Sequence, residues 1–154
     1  MTPDNLFSTA NIVALLAWVL LAALPGKRWV AETVTGTIVP ALLAAVYVAI
    51  VATTWASSTG SFSSLSGVAM LFSHQWILLG GWIHYLAFDL LIGLWEREEA
   101  ARIGLARGWL LPCQLLTFLF GPIGWLAFMA VRWLRLRGGR ATSAGGPSPR
   151  VLAL

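Results

Sequence analysis

Residues 76–94 read WILLGGWIHYLAFDLLIGL, and the fold class can be predicted from this stretch. Its one formally charged side chain is Asp89, and its length is close to the roughly 20 apolar residues that a helix needs to cross the hydrocarbon core of a bilayer. A charged run, residues 96–99, follows it. We therefore expect a membrane-spanning helix over residues 76–94. Because Glu98 and Arg102 are four residues apart, we also expect them to pair on a solvated helix surface beyond it.

Three further stretches have a similar length and hydropathy: residues 6–24, 36–55 and 109–133. The sequence thus predicts an all-α integral membrane bundle of about four transmembrane helices, occupying residues 1–137. Residues 138–154 are rich in Gly and Pro and are expected to form a disordered tail. Residues 68–72 are either a short separate helix or an early start of the third span, and both alternatives stay open. With four spans both termini would share one side; the positive charges are too evenly divided to orient the bundle.

The composition supports a membrane location. Hydrophobic residues make up 58% of the chain and the mean hydropathy is +0.80, whereas soluble domains contain about 45–50% apolar residues. The net charge of +4 comes almost wholly from arginines in short stretches. Such a basic fringe argues against nucleic-acid binding and makes membrane lipid the expected partner. The arginine-rich, lysine-poor composition is typical of a GC-rich bacterial genome. We therefore expect a multi-pass protein of the bacterial inner (cytoplasmic) membrane.

Few residues are suited to bind a metal ion. Cys113 is the single cysteine, which excludes an internal disulfide and a cysteine-based zinc site. The two histidines, His74 and His84, lack the spacing of metal ligands. We therefore predict no metal and no cofactor.

Polar residues inside the spans are the candidates for chemistry, because each is costly in lipid unless it is paired or faces a cavity. Asp89 and Tyr85 are four residues apart and share a helix face with Trp82. His84 is five residues from Asp89, so a direct pair within one helix is not expected. One hypothesis makes Asp89 and His84 acid–base groups in an intramembrane cavity. The alternative is that Asp89 accepts structural hydrogen bonds and His84 bonds a neighbouring helix.

Two other features could shape a ligand site. Asn11 lies deep in the first span, where a carboxamide also serves as a hydrogen-bonding contact between helices. Gly121 and Pro122 lie in the middle of the fourth span, and proline removes a helix hydrogen bond there. We expect a kink at this point. It either opens a ligand pocket beside the third span or is only a packing kink.

Three stretches together resemble the neoxanthin-synthase-like (abscisic acid deficient four-like) family of membrane proteins. The first contains Leu6-Phe7-Ser8 and Ala10-Asn11. The second is the run from Gly81 to Leu90, GWIHYLAFDL, with Gly93 beyond it. The third contains Pro112-Cys113, Thr117-Phe118 and Gly121-Pro122-Ile123-Gly124. The resemblance covers nearly the whole membrane region.

The resemblance implies a function in isoprenoid chemistry. Plant members of this family are associated with the conversion of violaxanthin, an epoxy-carotenoid, into the allenic neoxanthin, which is an isomerisation. By this analogy Asp89 or His84 would act as acid and base, and Trp82, Tyr85 and Phe88 would line a groove for the polyene. The competing hypothesis is a non-catalytic membrane protein that binds a pigment, a quinone or a partner complex. A small transporter or proton path would need further polar groups in line. Whether the chain is an enzyme, and its oligomeric state, stay open.

Overall fold

The structure, a computed structural model, describes residues 2–24 and 29–143, and this part of the chain is helical without any strand. The all-α prediction is confirmed. Six α-helices follow one another: α1 (Pro3–Ala23), α2 (Val39–Thr54), α3 (Leu65–Phe72), α4 (Gln75–Arg102), α5 (Arg107–Phe120) and α6 (Pro122–Ser143). A π-helical segment, Val30–Ile38, runs directly into α2, and a 3₁₀ turn, Trp55–Ser57, follows it.

Within the described residues, three helical stretches are long and apolar enough to cross a membrane: α1, residues Glu32–Ser57 around α2, and α4. They correspond to the first three predicted spans, although α4 continues beyond residue 94 through the charged run to Arg102. Residues 68–72 belong to the separate helix α3, which Ser64 caps by accepting a hydrogen bond from the backbone N–H of Gly67. The three long apolar helices make the chain a membrane protein.

Residues 109–133 do not form the single kinked helix that the sequence predicted. The structure has two helices here, α5 and α6, separated by Gly121. Gly121 has a φ of 53°, a conformation that residues with a Cβ rarely adopt, and it reverses the chain. Pro122 then stands at the first position of α6, where its missing N–H costs nothing. A proline that was expected to kink a helix therefore begins one.

The C-terminal segment falls partly within the described residues. Helix α6 continues to Ser143 and so includes the beginning of the predicted tail, residues 138–143. The rest of the predicted tail, residues 144–154, lies outside the described residues.

The chain divides into two compact units, residues 1–95 and 96–154. In the first unit α4 runs parallel to α1, because Trp82 contacts Asn11 and Gly93, further along α4, lies under the ring of Trp18. Helix α2 runs the opposite way, since its Tyr47 faces His84 and its Ile50 faces the earlier Gly80. Apolar side chains of the three helices form one buried cluster around Leu43, Leu79, Ile83 and Leu86.

In the second unit α5 and α6 form an antiparallel helical hairpin. They lie in close contact at Gly124, where an added Cβ would overlap the backbone of Thr117. Phe128 of α6 is fully buried against Leu110 and Cys113 of α5 and against Ala100, near the end of α4. The absence of a side chain at Gly124 is therefore what allows the two helices to pack.

The contact between Gly93 and Trp18 gives a test of how α1 packs on α4. Trp18 is only 6% exposed, so its ring has little space into which it could move away from a new methyl group. We expect Gly93→Ala to lower the free energy of unfolding by about 1–3 kcal/mol, the usual cost of overpacking. Thermal unfolding in detergent measures it.

Gly108→Ala is the matched control, because an added Cβ there meets no atom within 4 Å. This variant should unfold at the wild-type temperature or slightly above it. Replacing Trp18 with Phe in the Gly93→Ala background should recover part of the loss. Equal melting temperatures for Gly93→Ala and the wild type would contradict the described packing.

Candidate functional site

A polar contact joins α1 to α4 inside the first unit. The indole N–H of Trp82 donates a hydrogen bond to Oδ1 of Asn11 at 2.9 Å. The ring centres of Phe7 and Tyr85 lie 5.7 and 5.4 Å, respectively, from that of Trp82. The structure thus brings together three predicted ligand-binding residues, Asn11, Trp82 and Tyr85, and adds Phe7, which the sequence analysis did not select.

Asp89 belongs to the same face of α4. Helical spacing places it one turn after Tyr85 and one turn before Gly93, between the Asn11 contact and the Trp18 contact with α1. Asp89 is 4% exposed, and no hydrogen bond to its carboxyl group occurs among the residues that the structure describes. Its buried position in a helix long enough to span a membrane therefore has no structural explanation within the described chain.

We define the α1–α4 stripe as Phe7, Asn11, Trp82, Tyr85 and Asp89. Near its beginning, a surface cavity of about 260 Å³ is lined mainly by apolar side chains, including Phe7, Leu78 and Trp82. Asp4 and Gln75 supply its polar groups. The stripe therefore combines aromatic side chains, an open cavity at one end and one buried carboxyl group.

His84 and Phe88 lie on a different face of α4. Their rings are 4.6 Å apart, and His84 also lies 5.6 Å from the ring of Tyr47 on α2. Both side chains are exposed, whereas Asp89 is buried. The two predicted acid–base groups, Asp89 and His84, are therefore not brought together, and the expectation that His84 faces a neighbouring helix agrees with its contact to Tyr47.

Gly121 and Pro122, the remaining predicted ligand-binding residues, belong to the second unit, where they form the turn of the α5–α6 hairpin. The backbone N–H of Gly121 donates to the carbonyl of Thr117 at 2.7 Å, and the Gly121 carbonyl accepts from Gly124 and Trp125. These polar backbone groups of the turn are thus bonded within the hairpin.

The second unit contains a buried polar cluster that was not predicted from the sequence. Glu96 is fully buried and its Oε1 accepts a 2.7 Å hydrogen bond from the hydroxyl of Thr117. Glu99 is 8% exposed and pairs with the guanidinium groups of Arg102, at 2.6 and 2.7 Å, and of Arg132. We refer to these five residues as the Glu99 cluster.

The predicted solvated surface with a Glu98–Arg102 pair is therefore wrong. Arg102 bonds Glu99, not Glu98, and two of the glutamates are buried. A signal was present in the sequence: Glu96 follows Asp89 by seven residues, which places both on one face of a helix that continues past residue 94. This relation was not recognised, because the third span was predicted to end at residue 94, whereas α4 ends at Arg102. Among the described residues no three His, Cys, Asp or Glu side chains meet as a metal site.

The fold and these buried groups define a helical membrane protein with ionisable side chains inside its helices. Residues 5–128 match the family described as ABA DEFICIENT 4-like, and the chain belongs to this ABA4-like family. The resemblance expected from the three sequence stretches is thereby confirmed. No curated protein and no solved structure matches the chain.

The Glu99 cluster gives a test of what stabilises the second unit. Arg132 comes from α6 and is 28% exposed, so removing its charge leaves a buried carboxylate with fewer donors. We expect Arg132→Met to cost about 1.5–3 kcal/mol of unfolding free energy, measured by thermal unfolding in detergent.

Arg137→Met is the control for the loss of one α6 arginine, because Arg137 lies over the ring of Trp133 and no ion pair to a carboxylate is described for it. It should destabilise the protein less than Arg132→Met does. The described role of Arg132 is wrong if the two variants unfold at the same temperature.

Proposed function

We propose that this chain binds the ring end of a carotenoid or a similar isoprenoid along the α1–α4 stripe and isomerises it, with Asp89 as the acid–base group. The proposal is carried by one observation: Asp89, which is 4% exposed as a residue, has no described hydrogen bond to its carboxyl group in an apolar helix. Ionisable residues in such helices are rare and are usually kept for a function.

The side chains beside Asp89 suit an apolar polyene with one polar end. Phe7 and Trp82 are 43% and 40% exposed, so both present ring surface that a ligand could cover. Tyr85 lies between them and Asp89 and combines ring surface with a hydroxyl group. A ligand lying along these rings would bring an oxygen-bearing end group to the carboxyl group.

The chemistry needs no further reactant. In an epoxide isomerisation the carboxylic acid donates its proton to the epoxide oxygen as a C–O bond breaks, and the carboxylate accepts a proton from a neighbouring carbon as a new C=C bond forms. Atoms and electrons balance within the substrate, so neither an oxidant nor a cofactor is required. One carboxyl group is sufficient for both transfers. His84 contacts Tyr47 and Phe88 instead of the stripe, so the proposal assigns the proton transfers to Asp89.

Binding without catalysis is the competing function. The hydrogen bond between Asn11 and Trp82 would serve binding equally well, because it fixes the position of the Trp82 ring without taking part in a reaction. The two functions differ in what they require of Asp89: an enzyme needs its exchangeable proton, whereas a binding protein needs only its shape.

We also propose that the chain resides in a bacterial cytoplasmic membrane, because its arginine-rich, lysine-poor composition is typical of a GC-rich bacterial genome.

The substitution Asp89→Asn separates these functions. In a host that accumulates epoxy-carotenoids, the wild-type protein should convert the pigment, and Asp89→Asn should reduce turnover by about 100-fold or more, the usual contribution of a positioned acid–base group. The amount of pigment that co-purifies with Asp89→Asn should equal the amount that co-purifies with the wild type. Liquid chromatography of extracted pigments measures both quantities.

Glu98→Gln is the control, because Glu98 lies exposed near the end of α4 and outside both the stripe and its cavity. It removes one carboxylate without touching the proposed chemistry and should retain wild-type turnover. Normal turnover by Asp89→Asn would exclude Asp89 as the acid–base group. A wild-type protein that retains pigment without converting it would support the binding function instead.

A further inference from the structure

The open end of the α5–α6 hairpin carries a second cavity, of about 380 Å³, within the second unit. We call it the hairpin-mouth cavity. Its lining is apolar, with Leu105, Trp109, Val131 and Leu134, and contains one charged side chain, Arg135. The volume lies within the range of small-ligand pockets. A ligand that fits it combines an apolar portion with a negative group.

The charged side chains of helices α5 and α6 have one sign. Every charged side chain after Glu99 in the sequence is an arginine. Arg102 and Arg132 bind Glu99, and Arg137 lies 3.6 Å from the ring centre of Trp133. Arg135 differs from them, because the one bond described for its guanidinium is a long one, 3.4 Å, to the carbonyl of Gly104. Most of its N–H donors therefore stay available to an anion.

The position of the cavity along the hairpin indicates the depth at which it lies in a membrane. Helix α5 has 14 residues and is about 21 Å long, shorter than the hydrocarbon core of about 30 Å. Exposed Phe120 and Ile123 surround the Gly121 turn, whereas exposed Trp109 and Trp133 lie toward the arginine-bearing end. Tryptophan and arginine favour the head-group region and the apolar turn favours the acyl chains. The hairpin thus enters the bilayer turn first, with its mouth among the head groups.

We propose that the hairpin-mouth cavity binds an anionic phospholipid, with the phosphate on Arg135 and the beginning of an acyl chain against Leu105, Val131 and Leu134. A phosphate accepts charge-assisted hydrogen bonds from the guanidinium, and the chain covers the apolar lining. This inference is independent of the proposed isomerase, since it concerns other residues and a different ligand.

Native mass spectrometry of the detergent-solubilised full chain tests the proposal with two lipids of equal chain length, phosphatidylglycerol and phosphatidylcholine. The wild type should prefer phosphatidylglycerol. Arg135→Gln should weaken phosphatidylglycerol binding about fivefold, the usual contribution of one cation at an anionic head group, and should leave phosphatidylcholine binding unchanged. Arg135→Lys should keep most of the preference, because a point charge also binds phosphate.

Arg137→Gln is the matched control, an exposed arginine two residues away that is absent from the cavity lining. It should change phosphatidylglycerol binding less than twofold. Equal binding of the two lipids by the wild type, or equal losses in Arg135→Gln and Arg137→Gln, would overturn the proposal. So would displacement of phosphatidylglycerol by glycerol phosphate at an equal concentration, since the site would then recognise only the anion. Arg135→Gln should unfold at the wild-type temperature, which shows that the loss is one of binding.

Discussion

The carboxyl groups buried along α4 set the main physical constraint on this fold, because burial deprives them of water. Asp89, Glu96 and Glu99 are 4%, 0% and 8% exposed in a helix that is long and apolar enough to cross a membrane. Burial removes such groups from water, so each requires a protein partner or a function. Thr117 bonds Glu96, and Arg102 and Arg132 bond Glu99. Asp89 has no such bond among the described residues, and because of this contrast within one helix we propose Asp89 as the acid–base group.

The membrane class, the three long apolar helices and the contact face of α4 could be read from the sequence. They depend on local properties: hydropathy over about 20 residues and the 3.6-residue period that places Trp82, Tyr85 and Asp89 on one face. The family could be predicted as well, from stretches that include Gly81 to Leu90. Asn11 was selected as a polar residue in α1, but its partner, Trp82, is 71 positions away and no local pattern joins the two.

The helical hairpin and the buried polar cluster of the second unit could not be predicted from the sequence, for a physical reason. Whether Gly121-Pro122 kinks a helix or reverses the chain depends on the φ of Gly121 and on the absence of a Cβ at Gly124, where α6 meets Thr117. Both outcomes satisfy the same hydropathy pattern. Likewise, the run from Glu96 to Glu99 has the composition of a solvated surface, and it becomes buried only because α5 and α6 fold against it. Tertiary packing thus overrides what charge alone predicts.

Chemical extraction of the purified protein tests the central claim, that the α1–α4 stripe holds an isoprenoid, most directly. The wild type would be purified in mild detergent from membranes that contain carotenoids and quinones, and its bound lipids identified by mass spectrometry beside those of Trp82→Ala. We expect an isoprenoid to be enriched on the wild type over the surrounding membrane and depleted on Trp82→Ala, which removes the ring bonded to Asn11. An isoprenoid content no higher than that of the membrane, or one unaffected by Trp82→Ala, would contradict it.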